Sequence, residues 1–457
     1  MTVTASRLGS SPLTVDWTQF AAVPPRGKAS PLTIDPEPAL QKLRARFDAS
    51  EVGFYFAPIR NELSQAAESQ SLAESLLAQN KFTDCLFLGI GGSALGPISL
   101  LSALQEKCTS GMRFHFCENP DSLEWTATLK KINPESTLVC VAAKSGTTFE
   151  TISQMLLALE WLGKPRWKSH VIAITDPAKG DLREFATQQG LRTLTIVPSI
   201  GGRFSIFSPV GLFAAALAGL NLKQFLLGAQ QVHEYLERVA LEKNPLIQLG
   251  SLFIRHFEGR PIHVCMPYSN RLRLIGDWFV QLWGESLGKD GKGFTPIAAV
   301  GATDQHSILQ LLRDGPDDKI TTFITVDQLD AQVKIPKAPL STTGGAFASF
   351  SLLEGHTLHD LLMTEYRAIS LVLTRRSRPH LTIQLDRLDE RAIGALTYFY
   401  SALTALTGTL WGVDPFDQPG VEEGKIYIRD SLNNAKRERN VDVDENSPVA
   451  RLRRNRD

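Results

Sequence analysis

The sequence predicts an α/β fold in which two domains of similar type each carry a parallel β-sheet with helices on both faces. Two features indicate this fold. Short apolar runs alternate with longer helical stretches, which is the pattern of parallel strands joined by crossover helices. The alternation pauses and starts again near residue 260, so two rounds of strands and helices are expected.

The first round follows a proline-containing segment and a helical pattern around residues 59–79. Its first apolar run, residues 84–92, ends in glycines and leads into a helical stretch at 94–104. Four more runs of the same kind predict strands, with helices between them such as the one at 149–162. These runs cover residues 112–117, 137–143, 170–175 and 192–198.

The second round contains three candidate strands and four candidate helices. The strands are predicted at 261–267, 295–301 and 319–326, and the helices at 271–287, 306–313, 358–373 and 391–410. The domain division that follows is an N-terminal helical arm (1–80), a first α/β domain (81–225), a helical connection (226–260), a second α/β domain (261–435) and a charged C-terminal tail (436–457). The tail is expected to be disordered or solvated, with a peripheral helix as the alternative.

The composition is that of a globular protein, and its charge is balanced. The 457 residues include 48 basic and 48 acidic side chains, and this balance gives no indication of nucleic-acid or membrane binding. The five cysteines have no CxxC spacing, which argues against a disulfide framework and a zinc site. Because neither a secretory signal nor an apolar run long enough to span a bilayer is visible, a cytoplasmic location is expected.

A glycine-rich loop follows the first predicted strand. Residues 89–97 read GIGGSALGP and open a helix, where glycines allow a sharp turn and free N–H groups can bind an anion. Gly92 and Ser93 are the candidate binding residues. The loop also matches the GxGxxG/A fingerprint of dinucleotide sites, with Glu118 at the distance of a ribose-binding acid. A nucleotide site and a turn without a ligand are therefore alternatives for this segment.

A second loop of this kind follows another predicted strand. Residues 144–151 read KSGTTFET, and their hydroxyl and backbone N–H groups at a helix start can donate hydrogen bonds to a phosphate. The alternative is an N-terminal capping box between Thr147 and Glu150, but such a cap needs only one hydroxyl group. Two phosphate-type loops in one domain favour a phosphosugar ligand. The candidate residues of this loop are Lys144, Ser145, Gly146, Thr147 and Thr148.

Further segments carry residues that suit acid–base chemistry. Arg203 lies beside paired glycines and has room to reach into a cleft. Gln281 and Glu285 are four residues apart, hence on one face near the end of a helix, where Glu285 is a candidate general base. His306 opens another helix.

Gln418 and Lys425 lie in a polar loop flanked by glycines. Each of these candidates also has an ordinary explanation when it is taken singly. A surface arginine, a helix-terminal glutamate, an exposed histidine and a surface lysine are all common.

In combination and in this order, the segments resemble the signature blocks of the glucose-6-phosphate isomerase family. The resemblance covers roughly residues 80–430 and implies a pair of sugar isomerase (SIS) domains, each an α-β-α sandwich, which agrees with the two rounds described above. A further segment, MPYSNRL, is similar to bacterial-type members of the family. The blocks are GIGGSALGP, AKSGTTFET, GGRFSIFSPVG, QLWGESLGK, DQHSILQL and QPGVEEGK.

The resemblance implies isomerisation of glucose 6-phosphate and fructose 6-phosphate through a cis-enediol, with neither a cofactor nor a metal. It makes Glu285 the base that moves a proton between C2 and C1, and Arg203 the cation that stabilises the resulting negative charge. His306 and Lys425 match positions assigned to opening and closing the sugar ring, and Glu150 matches a carboxylate that orients the histidine.

The same resemblance extends to substrate binding and to assembly. The two loops would hold the substrate phosphate, and Gln281 and Gln418 match positions that line the same pocket. The family is typically homodimeric, with the histidine supplied to the neighbouring subunit's site, so a homodimer with shared active sites is expected.

Two departures from the family pattern concern binding and the C-terminus. Ala143 stands where the family often has serine, which predicts weaker substrate binding rather than loss of activity. The charged C-terminal segment replaces a longer structured helix. The sequence leaves activity on mannose 6-phosphate open.

Two other functions fit part of the sequence. A non-catalytic SIS-domain regulator that binds a phosphosugar would keep the two loops but would not need Glu285, His306 and Lys425 together. A nucleotide-dependent oxidoreductase would explain only the first glycine-rich loop.

Overall fold

The computed structural model describes residues 5–49, 51–52, 62–337 and 348–443. The chain forms two compact units, of which the first ends at Pro415 and the second begins at Phe416. Residues 59–61 of the predicted helix at 59–79 and residues 444–457 of the predicted tail lie outside the described residues.

The strands are numbered in chain order. They are β1 (Ala5–Arg7), β2 (Leu13–Asp16), β3 (Asp84–Leu88), β4 (Arg113–Cys117), β5 (Thr137–Ala142), β6 (Val171–Thr175), β7 (Arg192–Thr195), β8 (Ile262–Pro267), β9 (Thr295–Ala298), β10 (Lys319–Gln328) and β11 (His380–Arg387).

The α-helices are numbered in the same way, and short 3-10 segments lie between them. They are α1 (Thr18–Ala22), α2 (Pro36–Asp48), α3 (Glu62–Leu77), α4 (Leu95–Ala103), α5 (Ser122–Leu129), α6 (Phe149–Leu162), α7 (Trp167–His170), α8 (Asp181–Gln189), α9 (Pro209–Leu217), α10 (Leu222–Arg238), α11 (Pro245–His256), α12 (Arg273–Leu287), α13 (Gln305–Asp314), α14 (Ala348–Ser351), α15 (Leu358–Arg375), α16 (Glu390–Trp411) and α17 (Glu422–Val443).

Strands β3 to β7 form a parallel sheet in the order β4-β3-β5-β6-β7. Strands β3, β5 and β6 are buried along their whole length, as continuous apolar runs predict for a parallel sheet that is covered on both faces. Leu86, Val139 and Ala173 pack in one core cluster with Met155 of α6 and Leu182 of α8. The predicted first α/β round is therefore confirmed as a sheet with its crossover helices.

The second sheet has the order β1-β2-β11-β10-β8-β9. Strands β11, β10, β8 and β9 pair in parallel with one another. At the other edge, β2 runs antiparallel to β11 and β1 runs antiparallel to β2. Met266, Phe323 and Leu373 lie in a core cluster on one face of this sheet. The second predicted round is confirmed as well, with an antiparallel extension at one edge.

Strands β1, β2 and β11 are not among the strands predicted from the sequence. The four residues of β2 pair with β11, so that Leu13 lies opposite Leu385 and Val15 opposite Ile383. A strand this short gives little local signal, because its partner comes from a distant part of the chain. Residues assigned to the N-terminal arm thus supply two strands to the second sheet.

Helices α16 and α17 are each 22 residues long. Helix α16 is buried from Ala392 to Trp411 and packs against α10, α11 and α12, which explains its apolar side chains on all faces. In the second unit, helix α17 continues to Val443. This corresponds to the helical alternative for the beginning of the predicted tail.

Two loops from distant parts of the chain meet next to α4. A Cβ atom placed on Gly92 would lie 2.1 Å from the carbonyl carbon of Gly202, a distance that no side chain tolerates. The hydroxyl of Ser205 donates a 2.6 Å hydrogen bond to the carbonyl oxygen of Gly92. The loop after β3 and the 3-10 segment Gly202–Phe207 are therefore in direct backbone contact, which requires glycine at position 92.

An aromatic cluster around His263 positions helix α12. His263 of β8 is fully buried, and its Nε2 is 2.8 Å from Oγ1 of Thr322. The centroid of its ring lies 4.6 Å from that of Phe253, 4.9 Å from Phe279 and 5.2 Å from Trp283. Because Phe279 and Trp283 belong to α12, the cluster ties this helix to β8 and α11.

Replacing Gly92 is expected to disrupt the loop contact. In Gly92→Ala the added methyl group would overlap the backbone of Gly202, so we expect a loss of about 1–3 kcal/mol in the free energy of unfolding, typical of overpacking. Gly202→Ala is the matched control, because a Cβ atom there would meet only the Cα atom of Gly92 at 3.8 Å. Denaturant unfolding of both variants tests this contact, and equal midpoints would contradict it.

The burial of His263 predicts a specific loss of stability in acid. Burial lowers the pKa of His263 to about 3, whereas the unfolded chain binds this proton near pH 6.5. The unfolded state therefore gains protons first, and the free energy of unfolding falls as the pH drops below 6.5, by about 2 kcal/mol at pH 5 for this one group.

The measurement is urea unfolding between pH 8 and pH 4. His263→Gln should show a shallower pH dependence than the wild type, because glutamine does not titrate. The exposed His356 provides the control, since His356→Gln is expected to keep the wild-type dependence. Identical slopes for the wild type and His263→Gln would contradict the prediction.

Candidate active site

The two phosphate-type loops lie at the same edge of the first sheet. Strands β3 and β5 are parallel neighbours, with Leu88 paired to Val141 near their carboxyl ends. The loop after β3 and the loop after β5 consequently start side by side. Each loop leads into a helix, α4 or α6, so backbone N–H groups of both helix starts are available at this edge.

The first loop turns sharply after β3. A Cβ atom on Gly89 would lie 2.7 Å from the carbonyl oxygen of Ser93, which shows how tightly the chain folds back on itself. Gly91–Ser93 forms a 3-10 turn before α4 begins at Leu95. The side chain of Ser93 is half-buried, and no hydrogen bond from its hydroxyl is present within the described residues.

The second loop carries three hydroxyl groups near the start of α6. The Oγ of Ser145 lies 3.3 Å from Oγ1 of Thr147 and 3.5 Å from Oγ1 of Thr148. Thr148 is the N-cap residue, but its side chain makes no capping hydrogen bond. The capping box between Thr147 and Glu150 is therefore not formed. The side chains of Ser145 and Thr147 are exposed, so a ligand can reach these hydroxyl groups.

The side chain of Lys144 bonds to the protein itself. Its ammonium group donates to the carbonyl oxygens of Pro198 (2.5 Å) and Ile200 (2.8 Å). Burial lowers the pKa of Lys144. The side chain ties the second loop to the segment that leads to Arg203, while its backbone remains part of the loop.

Gly146 and Ala143 shape the second loop. Gly146 has a φ of +67° and packs against the start of α8, where a Cβ atom would lie 2.8 Å from the nitrogen of Leu182. Ala143 is 1% exposed and packs in the core cluster of the first sheet. Its carbonyl oxygen accepts a 2.7 Å hydrogen bond from the hydroxyl of Thr175.

Arg203 is buried and makes bonds to distant parts of the chain. Its Nη1 lies 3.3 Å from Oε2 of Glu285, its Nε donates to Oγ of Ser286 (2.7 Å), and its Nη2 donates to the carbonyl oxygen of Pro415 (2.6 Å). Only 1% of the arginine side chain is exposed, compared with 28% for Glu285. The pair therefore joins a fully enclosed cation to a carboxylate that solvent or a ligand can reach.

Gln281 and Glu285 lie on the same face of α12, as their spacing predicts. A Cβ atom on Gly91 would lie 3.0 Å from Nε2 of Gln281, so this amide packs over the first loop. The Oε1 of Gln281 is buried and has no hydrogen-bond partner among the described residues. Gln281 thus connects the first phosphate-type loop with the helix face that carries Glu285.

The structure does not bring His306 to these residues. His306 lies in the first turn of α13, and its side chain is exposed. Glu150 is half-buried in the first turn of α6. Within the described part of the chain no hydrogen bond links Glu150 to His306, so the orienting role of Glu150 stays a prediction.

Gln418 and Lys425 belong to the second unit. Gln418 precedes the 3-10 turn Pro419–Val421, and Lys425 lies in the first turn of α17 with an exposed side chain. Their roles in substrate binding and ring opening stay predictions.

Three partners at the site were not identified from the sequence: the hydroxyls of Ser205 and Ser286 and the carbonyl group of Pro415. The two serines follow Arg203 and Glu285 closely in the same motifs, which is the one signal that could have indicated them. The carbonyl group of Pro415 has no signature at all, because every residue carries one.

None of the helices within the described residues is long and apolar enough to cross a bilayer. Across residues 5–49, 51–52, 62–337 and 348–443, no three His, Cys, Asp or Glu side chains gather as metal ligands.

The chain is similar to a family of known proteins over most of its length. Residues 59–450 match the family description "Phosphoglucose isomerase". A protein from Rubrobacter xylanophilus named glucose-6-phosphate isomerase is 41% identical over 82% of this chain and 87% of its own length. One of the same name from Carboxydothermus hydrogenoformans is 38% identical over 85% of this chain and 86% of its own.

Solved structures show the same fold. A hypothetical protein from Thermus thermophilus superposes with a TM-score of 0.79, is 35% identical, and covers 87% of this chain and 94% of its own. A glucose-6-phosphate isomerase from Chlamydia trachomatis superposes with a TM-score of 0.77 over 98% of this chain and 92% of its own, at 22% identity. The predicted fold class is confirmed, and the chain belongs to the phosphoglucose isomerase family.

Proposed function

We propose that this protein interconverts glucose 6-phosphate and fructose 6-phosphate by moving one proton between C2 and C1 through a cis-enediol, as a step of glycolysis and gluconeogenesis. The observation that carries the proposal is the pairing of Glu285 with the buried Arg203, 3.3 Å apart, beside two phosphate-type loops. Relatives at 38% and 41% identity that are named glucose-6-phosphate isomerase support it.

Glu285 is the base in this proposal. Isomerisation requires a group that removes a proton from one carbon and returns it to the next, and a carboxylate within reach of both carbons can do this. Glu285 keeps 28% of its side chain exposed, so the carboxylate faces the space where a sugar would bind.

Arg203 stabilises the enediolate. Negative charge develops on the oxygens at C1 and C2 as the proton leaves, and a cation held in a buried site stabilises that charge without reorganising. The bonds to Ser286, Pro415 and Glu285 hold the guanidinium group in place before the substrate arrives.

The two loops hold the substrate phosphate. The hydroxyl groups of Ser93, Ser145, Thr147 and Thr148 and the backbone at Gly92, Lys144 and Gly146 provide donors for its oxygens. Gln281 and Gln418 are assigned to substrate binding as well. The buried Oε1 of Gln281, which has no hydrogen-bond partner among the described residues, suits a ligand hydroxyl group.

Ring opening falls to His306 and Lys425, with Glu150 as a supporting carboxylate. The exposed position of His306 suits a residue that acts in the site of a neighbouring subunit. A homodimer with shared active sites is therefore part of the proposal. A cytoplasmic location is part of it too, because the five cysteines are free thiols, as expected in a reducing compartment.

Glu285→Gln tests the proposed base. The amide cannot accept the proton, so kcat for fructose 6-phosphate conversion should fall by about 10²–10⁴-fold or more, while the substrate phosphate still binds. Glu160→Gln, an exposed glutamate on α6, is the matched control and should keep wild-type turnover. Coupled assays in EDTA provide the measurement, and wild-type activity is expected to survive the chelator.

Three outcomes would contradict parts of this proposal. Retained turnover in Glu285→Gln would remove Glu285 as the base, and loss of wild-type activity in EDTA would contradict a metal-free mechanism. A wild-type protein that binds fructose 6-phosphate without turnover would instead favour the non-catalytic regulator.

Shared active sites predict complementation between two inactive variants. Glu285→Gln and His306→Ala subunits carrying different tags are coexpressed, and the doubly tagged heterodimer is purified. One of its two sites then contains both intact residues, so it should recover about half of the wild-type activity. A heterodimer as inactive as either parent would show that Glu285 and His306 act within one chain.

A further inference from the structure

We infer that Ser286 is a positioning residue for Arg203, holding the guanidinium group in the orientation that the reaction requires. This inference rests on the proposed function, because it assigns Ser286 a part in the chemistry of Arg203. Ser286 accepts a hydrogen bond from the guanidinium group, and it follows Glu285 directly on helix α12.

The guanidinium group is planar, and two of its bonds lie along one edge. Nε donates to Oγ of Ser286 at 2.7 Å, and Nη2 donates to the carbonyl oxygen of Pro415 at 2.6 Å. Two short bonds along one edge determine both the plane and the rotation of the group. Nη1 is thereby directed towards Glu285, with 3.3 Å between Nη1 and Oε2 of the carboxylate.

Ser286 is buried, and a buried hydroxyl group costs little free energy only when it is hydrogen-bonded. The residue is 0% exposed, and Arg203 is 2% exposed, so neither group can exchange its partner for water. A buried charged donor without an acceptor is unfavourable, and the arginine would then move to find another. The hydroxyl group of Ser286 therefore limits the movement of Arg203.

The position of Ser286 next to Glu285 adds a second constraint. Both residues are on α12, so the acceptor for Nε and the carboxylate that faces Nη1 belong to one rigid element. A displacement of the helix moves both partners together. The distance between the proposed base and the proposed enediolate-binding cation is thus maintained by adjacent residues of a single helix.

The carbonyl oxygen of Pro415 is held by a neighbouring contact. Lys289 donates from Nζ to the carbonyl oxygen of Asp414, and also to that of Ser286 at 3.2 Å. The end of α12 and the segment that carries the second acceptor of Arg203 are therefore joined by one ammonium group. Ser286 contacts Arg203 through its hydroxyl group and Lys289 through its carbonyl group, which makes it the residue to test.

Ser286→Ala removes the acceptor without adding bulk. Misplacement of Arg203 should lower kcat for fructose 6-phosphate by about 10- to 100-fold, with KM within about 2-fold of the wild type because the phosphate loops are unchanged. Ser401→Ala is the matched control, since Ser401 is a buried helical serine that donates to Thr397 of its own helix at 2.8 Å. Its kcat and KM should equal those of the wild type.

A double-mutant cycle separates positioning from a purely structural role. Lysine has no Nε donor in a guanidinium plane, so in an Arg203→Lys background Ser286→Ala should lower kcat by less than about 2-fold further. If Ser286 only supports packing, the same factor will be lost in both backgrounds, and the inference is overturned. Ser286→Cys keeps the volume but accepts hydrogen bonds weakly, and it replaces Ser286→Ala in the cycle if the alanine variant does not fold.

The cycle also distinguishes this inference from the proposed function. Wild-type kcat in Arg203→Lys would contradict the role of Arg203 in catalysis itself. An impaired Arg203→Lys together with wild-type kcat in Ser286→Ala would leave that role standing and overturn the positioning by Ser286 alone.

Discussion

The guanidinium group of Arg203 brings a positive charge into a place where only 1% of its side chain is exposed, and the surrounding elements are arranged to accept it. An unpaired cation in such a place would cost several kcal/mol. Its partners come from the end of α12 and from Pro415, the last residue of the first unit. The loop at Gly202–Phe207, the helix and the segment before Phe416 must therefore all be in place before the charge can be buried.

Helix α12 contacts both the aromatic cluster around His263 and the guanidinium group of Arg203. Trp283 packs into the aromatic cluster around His263, whereas Glu285 and Ser286 face Arg203. Helix α4, which follows the first phosphate-type loop, packs on α12 as well. The distance between the first phosphate-type loop and the Glu285 carboxylate is thus set by the packing of these two helices. In this way elements from different rounds of the fold are brought together.

Much of the fold could be predicted because its signals are local. Strands β3, β5 and β6 are continuous apolar runs, and α6 was predicted at 149–162 and observed as Phe149–Leu162. The strands that escaped prediction depend on distant partners. The few residues of β2 become a strand only because β11 offers its unpaired edge, and no local pattern at residues 13–16 reports that edge.

The residues of the site likewise differ in whether a local motif predicts them or whether their contacts depend on distant parts of the chain. The loop residues could be identified because glycines and hydroxyl groups at a helix start have a local chemical meaning, and Gln281 and Glu285 share a face because of helical spacing alone. The bonds of the Lys144 ammonium group could not be predicted in this way, since it donates to the carbonyl groups of Pro198 and Ile200 in a distant segment. Only the folded chain specifies such a partner.

The sequence alone determined the five strands of the first sheet and β8, β9 and β10 of the second, the two loops that begin α4 and α6, and the residue types available for acid–base chemistry. These follow from local propensity and from motifs that are contiguous in the chain. Tertiary structure decided that Arg203 lies 3.3 Å from Glu285, that Ser286 accepts its Nε, and that Gly92 touches Gly202. Such contacts join residues far apart in sequence, and their distances result from the packing of whole elements, which no single segment encodes.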